Sequence, residues 1–166
     1  LTPRAWQCGT ATVGDKSGEV WKPHVTVAAV CQRENRFLLV REKAHGRIVL
    51  NQPAGHLEPD ETLEQAVIRE TLEETAYDFT PTGLLGIYRC IAMENRETYL
   101  RFAFAGQVGQ QHELALDQGI LAAEWLTLDE IKREQACLRT PMVMQCILDY
   151  LDQRAYPLQV FSPDFA

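Results

Sequence analysis

Residues 62–75, Thr-Leu-Glu-Gln-Ala-Val-Ile-Arg-Glu-Thr-Leu-Glu-Glu-Thr, read as one helix with an uncommon face. Thr62 is placed to cap its start, and Gln65 three residues on completes a capping box. Leu63, Ala66 and Val67 follow the spacing of an apolar stripe. At about 100° per residue, Glu70, Glu73 and Glu74 fall on the same arc of roughly 120° as that stripe. An ordinary amphipathic helix carries its carboxylates opposite its core face. Here the inward face turns triply acidic after about two turns. Carboxylates within about 6 Å of one another repel. They are tolerated when solvated, protonated, paired with Arg or bound to a divalent cation. An oxygen-only donor set suits Mg²⁺ or Mn²⁺ rather than zinc.

The flanking sequence reads as short strands. Residues 24–31 are rich in β-branched side chains and bounded by Pro23. Glu34-Asn35-Arg36 is a turn before a second strand at 37–40, and the two strands are expected to form a hairpin. A polar loop carrying Lys43, His45, Gly46 and Arg47 leads into residues 48–50, and Asn51-Gln52-Pro53-Ala54-Gly55 breaks the pattern. Beyond the helix, strands are expected at 84–93 and 98–108 around the turn Glu94-Asn95-Arg96, and at 120–126. Thr127 with Glu130 repeats the capping-box signal. Thr140-Pro141 marks a last helix to about Gln153, with Pro well suited to the first helical position. The expected organisation is an irregular arm at 1–21, one α/β domain at 22–154 and a surface tail at 155–166.

Charge narrows the partners. The 16 basic and 23 acidic residues of the 166-residue chain give a net charge of −7, which repels a phosphate backbone. No Lys/Arg stripe offsets this, so a nucleic-acid polymer is not an expected partner. A small phosphorylated metabolite or nucleotide remains compatible, because a divalent cation inverts the local field. The five cysteines include no C-x-x-C pair, which points away from a disulfide framework or zinc ribbon and towards a reducing, cytoplasmic setting. No stretch approaches the ~20 apolar residues of a membrane helix. Monomer and homodimer are both left open.

Upstream of the acidic face stand Gly55 and Glu61, and Arg69 precedes Glu70, so the whole reads G-x5-E-x7-R-E-x2-E-E. This resembles the signature of the Nudix hydrolase family (MutT-like). Three positions depart from it. Thr71 stands where an aliphatic residue is usual, Ala76 replaces a Gly, and Tyr77 replaces a following aliphatic. Ala76 implies either a costly left-handed alanine or a different helix exit. The runs Asn51-Gln52-Pro53-Ala54-Gly55-His56-Leu57-Glu58, Lys22-Pro23-His24-Val25-Thr26-Val27-Ala28, Leu100-Arg101-Phe102 and Leu138-Arg139-Thr140-Pro141 are similar to a bacterial phosphatase subgroup of that family, the NudJ type.

The resemblance implies an α/β/α sandwich with a mixed β-sheet and the loop-helix of the family. It also implies hydrolysis of a phosphoanhydride with Mg²⁺ or Mn²⁺. Glu70, Glu73 and Glu74 match the family's metal-side carboxylates, joined by the backbone carbonyl of Ala54. Gly55, Glu61 and Arg69 match the groups that lock the box loop to the helix. Glu70 is the expected general base, with Glu94, Glu113 and Asp117 as alternatives. Arg41, Lys43, Arg47, Arg101 and Asp117 are the substrate-side candidates, Arg101 foremost, because it alternates out of an apolar strand. The subgroup implies nucleoside di- or triphosphates, or thiamine-type pyrophosphates, as substrates and orthophosphate as product. Alternatives are a pyrophosphohydrolase acting on a sugar nucleotide, dinucleoside polyphosphate or oxidised nucleotide, and a sensor that binds without turnover.

Overall fold

The computed structural model describes residues 20–92 and 96–161. Its first element, β1 (His24–Val30), lies at the centre of a mixed sheet. It pairs antiparallel with β5 (Ala54–His56) and parallel with β7 (Thr98–Gln111). The long β6 (Tyr77–Ile91) closes the other edge, antiparallel to β7. A second, antiparallel sheet is built on β3 (Arg36–Ala44), which pairs with β2 (Gln32–Arg33), β4 (Arg47–Asn51) and β8 (Ile120–Thr127).

Burial on both faces of β1 explains the layering. Val27, Ala29 and Cys31 join Ala66 and Val67 of helix α1 (Leu63–Thr75) and Phe104 in one core. Val30 joins Leu85, Ala103, Ile131 of α2 (Leu128–Arg133), and Val143 and Ile147 of α3 (Pro141–Leu151) in the other. The mixed sheet therefore lies between α1 and α3, the expected α/β/α arrangement. Fully burying an apolar side chain of this size contributes roughly 1.5–3 kcal/mol, so both cores hold the layers together.

The hairpin expected between the first two strands does not form. The chain leaves one sheet at Cys31 and enters the other, and only the two-residue β2 folds back on β3 through Glu34 and Asn35, both at positive φ. The polar loop at 43–47 is tighter than its composition suggests. Lys43 and Arg47 lie on strands, and only His45 and Gly46 form the turn, both left-handed as a two-residue hairpin requires. β6 starts seven residues before the expected 84, because register shifts around Pro81 and Gly83 absorb residues that read as breakers. The described part of the expected tail is docked. Tyr156 exchanges backbone hydrogen bonds with Leu84 at 2.7 and 2.8 Å, and Phe161 packs on Phe104. Residues 1–19 of the expected arm, and Glu94, lie outside the described residues.

The four described cysteines carry free thiols. Among the described residues, no helix is long and apolar enough to cross a membrane.

Candidate active site

Helix α1 begins as the sequence dictates. Thr62 Oγ1 accepts the Gln65 N–H, and the Gln65 side chain accepts the Thr62 N–H. Thr71, the polar substitute for an aliphatic residue, is fully buried and donates to the Val67 carbonyl at 2.7 Å, so the departure leaves no unsatisfied hydroxyl. The helix stops on Ala76 in the left-handed region (φ 58°), whose N–H reaches the Leu72 carbonyl at 2.8 Å. Of the two possible exits, the costly left-handed alanine is the one adopted.

The acidic face meets β5. Glu74 is 8 % exposed, and its Oε2 accepts the Ala54 N–H at 2.8 Å. Glu70 lies against Gly55 so closely that a β-carbon there would fall 2.0 Å from its carboxyl carbon. Only glycine leaves room for the carboxyl at that position. Glu73 is on the solvent-facing edge, and its carbonyl accepts the Asp117 N–H at 2.9 Å, which brings that loop residue beside the helix.

Arg69 ties the assembly together. Its Nε and Nη2 grip Glu61 at 3.0 and 2.7 Å. Its Nη1 bonds Glu70 at 2.8 Å and Glu73 at 3.1 Å, and Nη2 also reaches the His56 carbonyl at 3.0 Å. Glu61 in turn accepts the Glu58 N–H. The Glu61–Arg69 pair thus joins the loop before the helix to the strand beneath it.

The electrostatics are unbalanced. Burial pushes Glu74 up to about 8, helped by Glu42 and Glu70 and opposed by the Ala54 N–H and Arg139. Burial also holds Glu70 above the usual carboxylate range against the pull of Arg69, with Glu73 and Asp117 adding repulsion. Glu42 on β3 is buried as well, and its Oε1 has no partner among the described residues. Among those residues, no three acidic, histidine or cysteine side chains already converge as a finished cation cage, for Arg69 stands between Glu70 and Glu73. The donor chemistry nonetheless fits a hard divalent cation: carboxylate oxygens only, two of the groups buried in excess of their counter-charge, and a backbone brought close by a glycine.

The substrate-side candidates separate. Arg41 is not available to a ligand: it forks onto Glu124 at 2.6 and 2.9 Å and onto Glu134 at 3.1 Å. Arg101 is buried, not open to solvent, because both faces of its central strand are covered. It donates to Asn51 and Gln52. Lys43 and Arg47 are exposed on the β3–β4 hairpin, whose Lys43 N–H bonds the Gly119 carbonyl at 2.9 Å beside the Asp117 loop. Glu113 is exposed on that loop. His24 stacks on Tyr99 with ring centroids 5.0 Å apart, and His56 lies edge-on to His24 at 5.7 Å. Two residues escape the sequence reading. Glu42 is a charge inside a strand, and Arg139 bonds it at 2.6 Å from 97 positions away. Arg139 stands in the Leu138-Arg139-Thr140-Pro141 run, which signals a motif without naming its partner.

Comparison with known proteins fits this geometry. A NUDIX domain profile matches residues 22–144, and the chain belongs to the NUDIX family. It is a hydrolase acting on acid anhydrides of phosphorus. The chain is 38% identical over 148 residues to the phosphatase NudJ of Escherichia coli K12, a match covering 86% of this chain and 93% of that protein. A NUDIX hydrolase structure from Nitrosomonas europaea superposes with a TM-score of 0.84 at 50% identity, covering 86% of this chain and 98% of that one. A bifunctional NMN adenylyltransferase/ADP ribose pyrophosphatase from Francisella tularensis, complexed with AMP and a Mn ion, shares the fold at a TM-score of 0.66 and 24% identity, over 81% of this chain and 42% of that one.

Proposed function

We propose that this hydrolase removes orthophosphate from nucleoside di- or triphosphates or thiamine-type pyrophosphates, using Mg²⁺ or Mn²⁺ held by Glu70, Glu73, Glu74 and the Ala54 carbonyl. The observation that carries the reading is the packing of Glu70 and Glu74 onto the Ala54–Gly55 backbone, with more buried negative charge than neighbouring cations balance. The phosphatase product is supported by the similarity to NudJ along nearly all of that protein.

When bound, the cation supplies charge neutralisation at the phosphoryl oxygens and lowers the pKa of a water. The chain's own residues do the rest. Glu70, seated over Gly55, accepts the proton of the attacking water. The water oxygen bonds to the terminal phosphorus, the bond to the bridging oxygen breaks, and the shortened phosphate leaves with that oxygen. Asp117 is held to α1 through the Glu73 carbonyl. Glu61 and Arg69 keep loop and helix in register throughout.

Product analysis on a nucleoside triphosphate and on thiamine pyrophosphate tests this. Orthophosphate from both, lost in EDTA, is the expected result. Inorganic pyrophosphate with nucleoside monophosphate from the triphosphate would instead assign the enzyme to the pyrophosphohydrolases. Tight binding with no product would make it a sensor.

A further inference from the structure

Three buried side-chain polar atoms have no hydrogen-bond partner among the described residues: Glu42 Oε1, Arg101 Nε and Thr140 Oγ1. Buried polar atoms in folded proteins are nearly all paired, so orphans gathered in one neighbourhood point to a missing polar ligand. The three residues lie on adjoining elements. Across the β3–β4 ribbon Val40 faces Asn51 and Glu42 faces Val49, which puts Glu42 and Asn51 on one face as diagonal neighbours, roughly 7–8 Å apart. Arg101 reaches Asn51 Oδ1 at 3.5 Å and Gln52 Oε1 at 3.2 Å from β7. Thr140 follows Arg139, whose N–H bonds the Leu50 carbonyl at 2.8 Å and whose Nη1 bonds Glu42 Oε2 at 2.6 Å.

Within this group Arg139 is the cation a ligand can reach. Its side chain is 40% exposed while that of Glu42 is 9%. Arg101 is only 6% exposed, Arg41 is held by two carboxylates and Arg69 by three. Among the described residues the remaining Arg139 nitrogens, Nε and Nη2, have no acceptor. The position adjoins the carboxylate helix: Arg139 N–H bonds the Leu50 carbonyl, four residues before Ala54, whose N–H bonds Glu74.

We propose that Arg139 binds the diphosphate group of the substrate at the carboxylate end of α1, with Glu42 as the positioning residue that fixes its guanidinium. The proposal rests on the reading that the substrate is a phosphoanhydride. A guanidinium offers phosphate two parallel donors. A buried carboxylate that already holds one corner removes much of the entropy that binding would otherwise cost. Arg101 stays behind it, bonded to Asn51 and Gln52.

The test is calorimetric titration of the whole chain with methylenediphosphonate, a diphosphate that cannot be hydrolysed, in Mg²⁺ buffer. The wild type is expected to bind. Arg139→Ala should bind about tenfold more weakly or worse, with its Mg²⁺ affinity in the absence of diphosphonate unchanged. Glu42→Gln should raise KM several-fold while leaving kcat near that of the wild type. Arg36→Ala, which breaks a surface ion pair with Glu130, should change nothing. Should Arg139→Ala not fold, Arg139→Gln carries the same expectation. Equal binding by wild type and variant, or no binding by the wild type, overturns the proposal. Arg139-dependent binding without hydrolysis of any pyrophosphate compound would sink the functional reading alone, and hydrolysis with Arg139-independent binding would sink this one alone.

Discussion

Glu74 accepts the backbone N–H of Ala54 at 2.8 Å, so the most deeply buried carboxylate of α1 is fastened to the strand beneath the helix. The bond fixes where the oxygen sits without supplying a full positive charge, and burial still drives the carboxyl up to about 8. The cation proposed for this site would relieve that imbalance.

Removing the charge should therefore help the metal-free protein and harm the metal-bound one. Glu74→Gln keeps an acceptor for Ala54 but no buried charge. We expect it to gain about 1 kcal/mol without metal, or ~2–4 °C in Tm. Mg²⁺ should raise the Tm of the wild type and leave that of the variant unmoved. Thermal melts with and without EDTA read both effects.

Gly55→Ala tests the other carboxylate. The added methyl would overlap the Glu70 carboxyl, the flexible end of a side chain, so the carboxyl must move and the backbone need not. Stability should change by less than about 1 kcal/mol, while kcat falls about tenfold to a hundredfold, the usual effect of misplacing a reacting group by an ångström. Steady-state kinetics beside a urea melt separate the two.

How far the sequence discloses these features varies by element. Helix α1 is legible because capping and periodicity are local: Thr62, Gln65, Ala66 and Val67 carry their own signals. The strand at 24–31 is legible too, but its partners are not. Whether β1 turns back on β3 or crosses to β7 depends on which sheet buries Cys31. The Glu61–Arg69 clasp spans eight positions inside the box and can be read as part of its pattern. The Glu42–Arg139 pair spans 97 and leaves no local trace. Arg101 misleads for a physical reason: alternation tells which face a residue takes, but on a strand covered on both sides each face is interior.

The helix exit offers a test of strain. A left-handed alanine costs about 1–2 kcal/mol. Replacing it by glycine forfeits a buried methyl worth ~0.8 kcal/mol and adds about 0.5–1 kcal/mol of unfolded-state entropy. These effects nearly cancel, so Ala76→Gly should alter stability by no more than about 1 kcal/mol. Ala76→Val, β-branched in a left-handed and buried position, should lose more than about 2 kcal/mol. Urea denaturation compares them.

The Arg41–Glu124 fork should appear in the pH dependence of stability. Hydrogen bonds from Arg41 hold the Glu124 carboxyl below its usual range. A depressed carboxylate stabilises the fold fully above its unfolded value of about 4.5. That contribution disappears as pH falls through the lower folded value. Glu124→Gln should therefore cost about 1 kcal/mol at neutral pH and progressively less below pH ~4. Melts across the acid range check the slope.

The most direct measurement is a Mn²⁺ titration followed by electron paramagnetic resonance, in which the signal of the free hydrated ion disappears on binding. The wild type should quench that signal stoichiometrically, and the Glu70→Gln/Glu74→Gln double variant, still folded by circular dichroism, should leave it intact. Equal quenching by both proteins, or none by the wild type, would contradict a cation site at the end of α1.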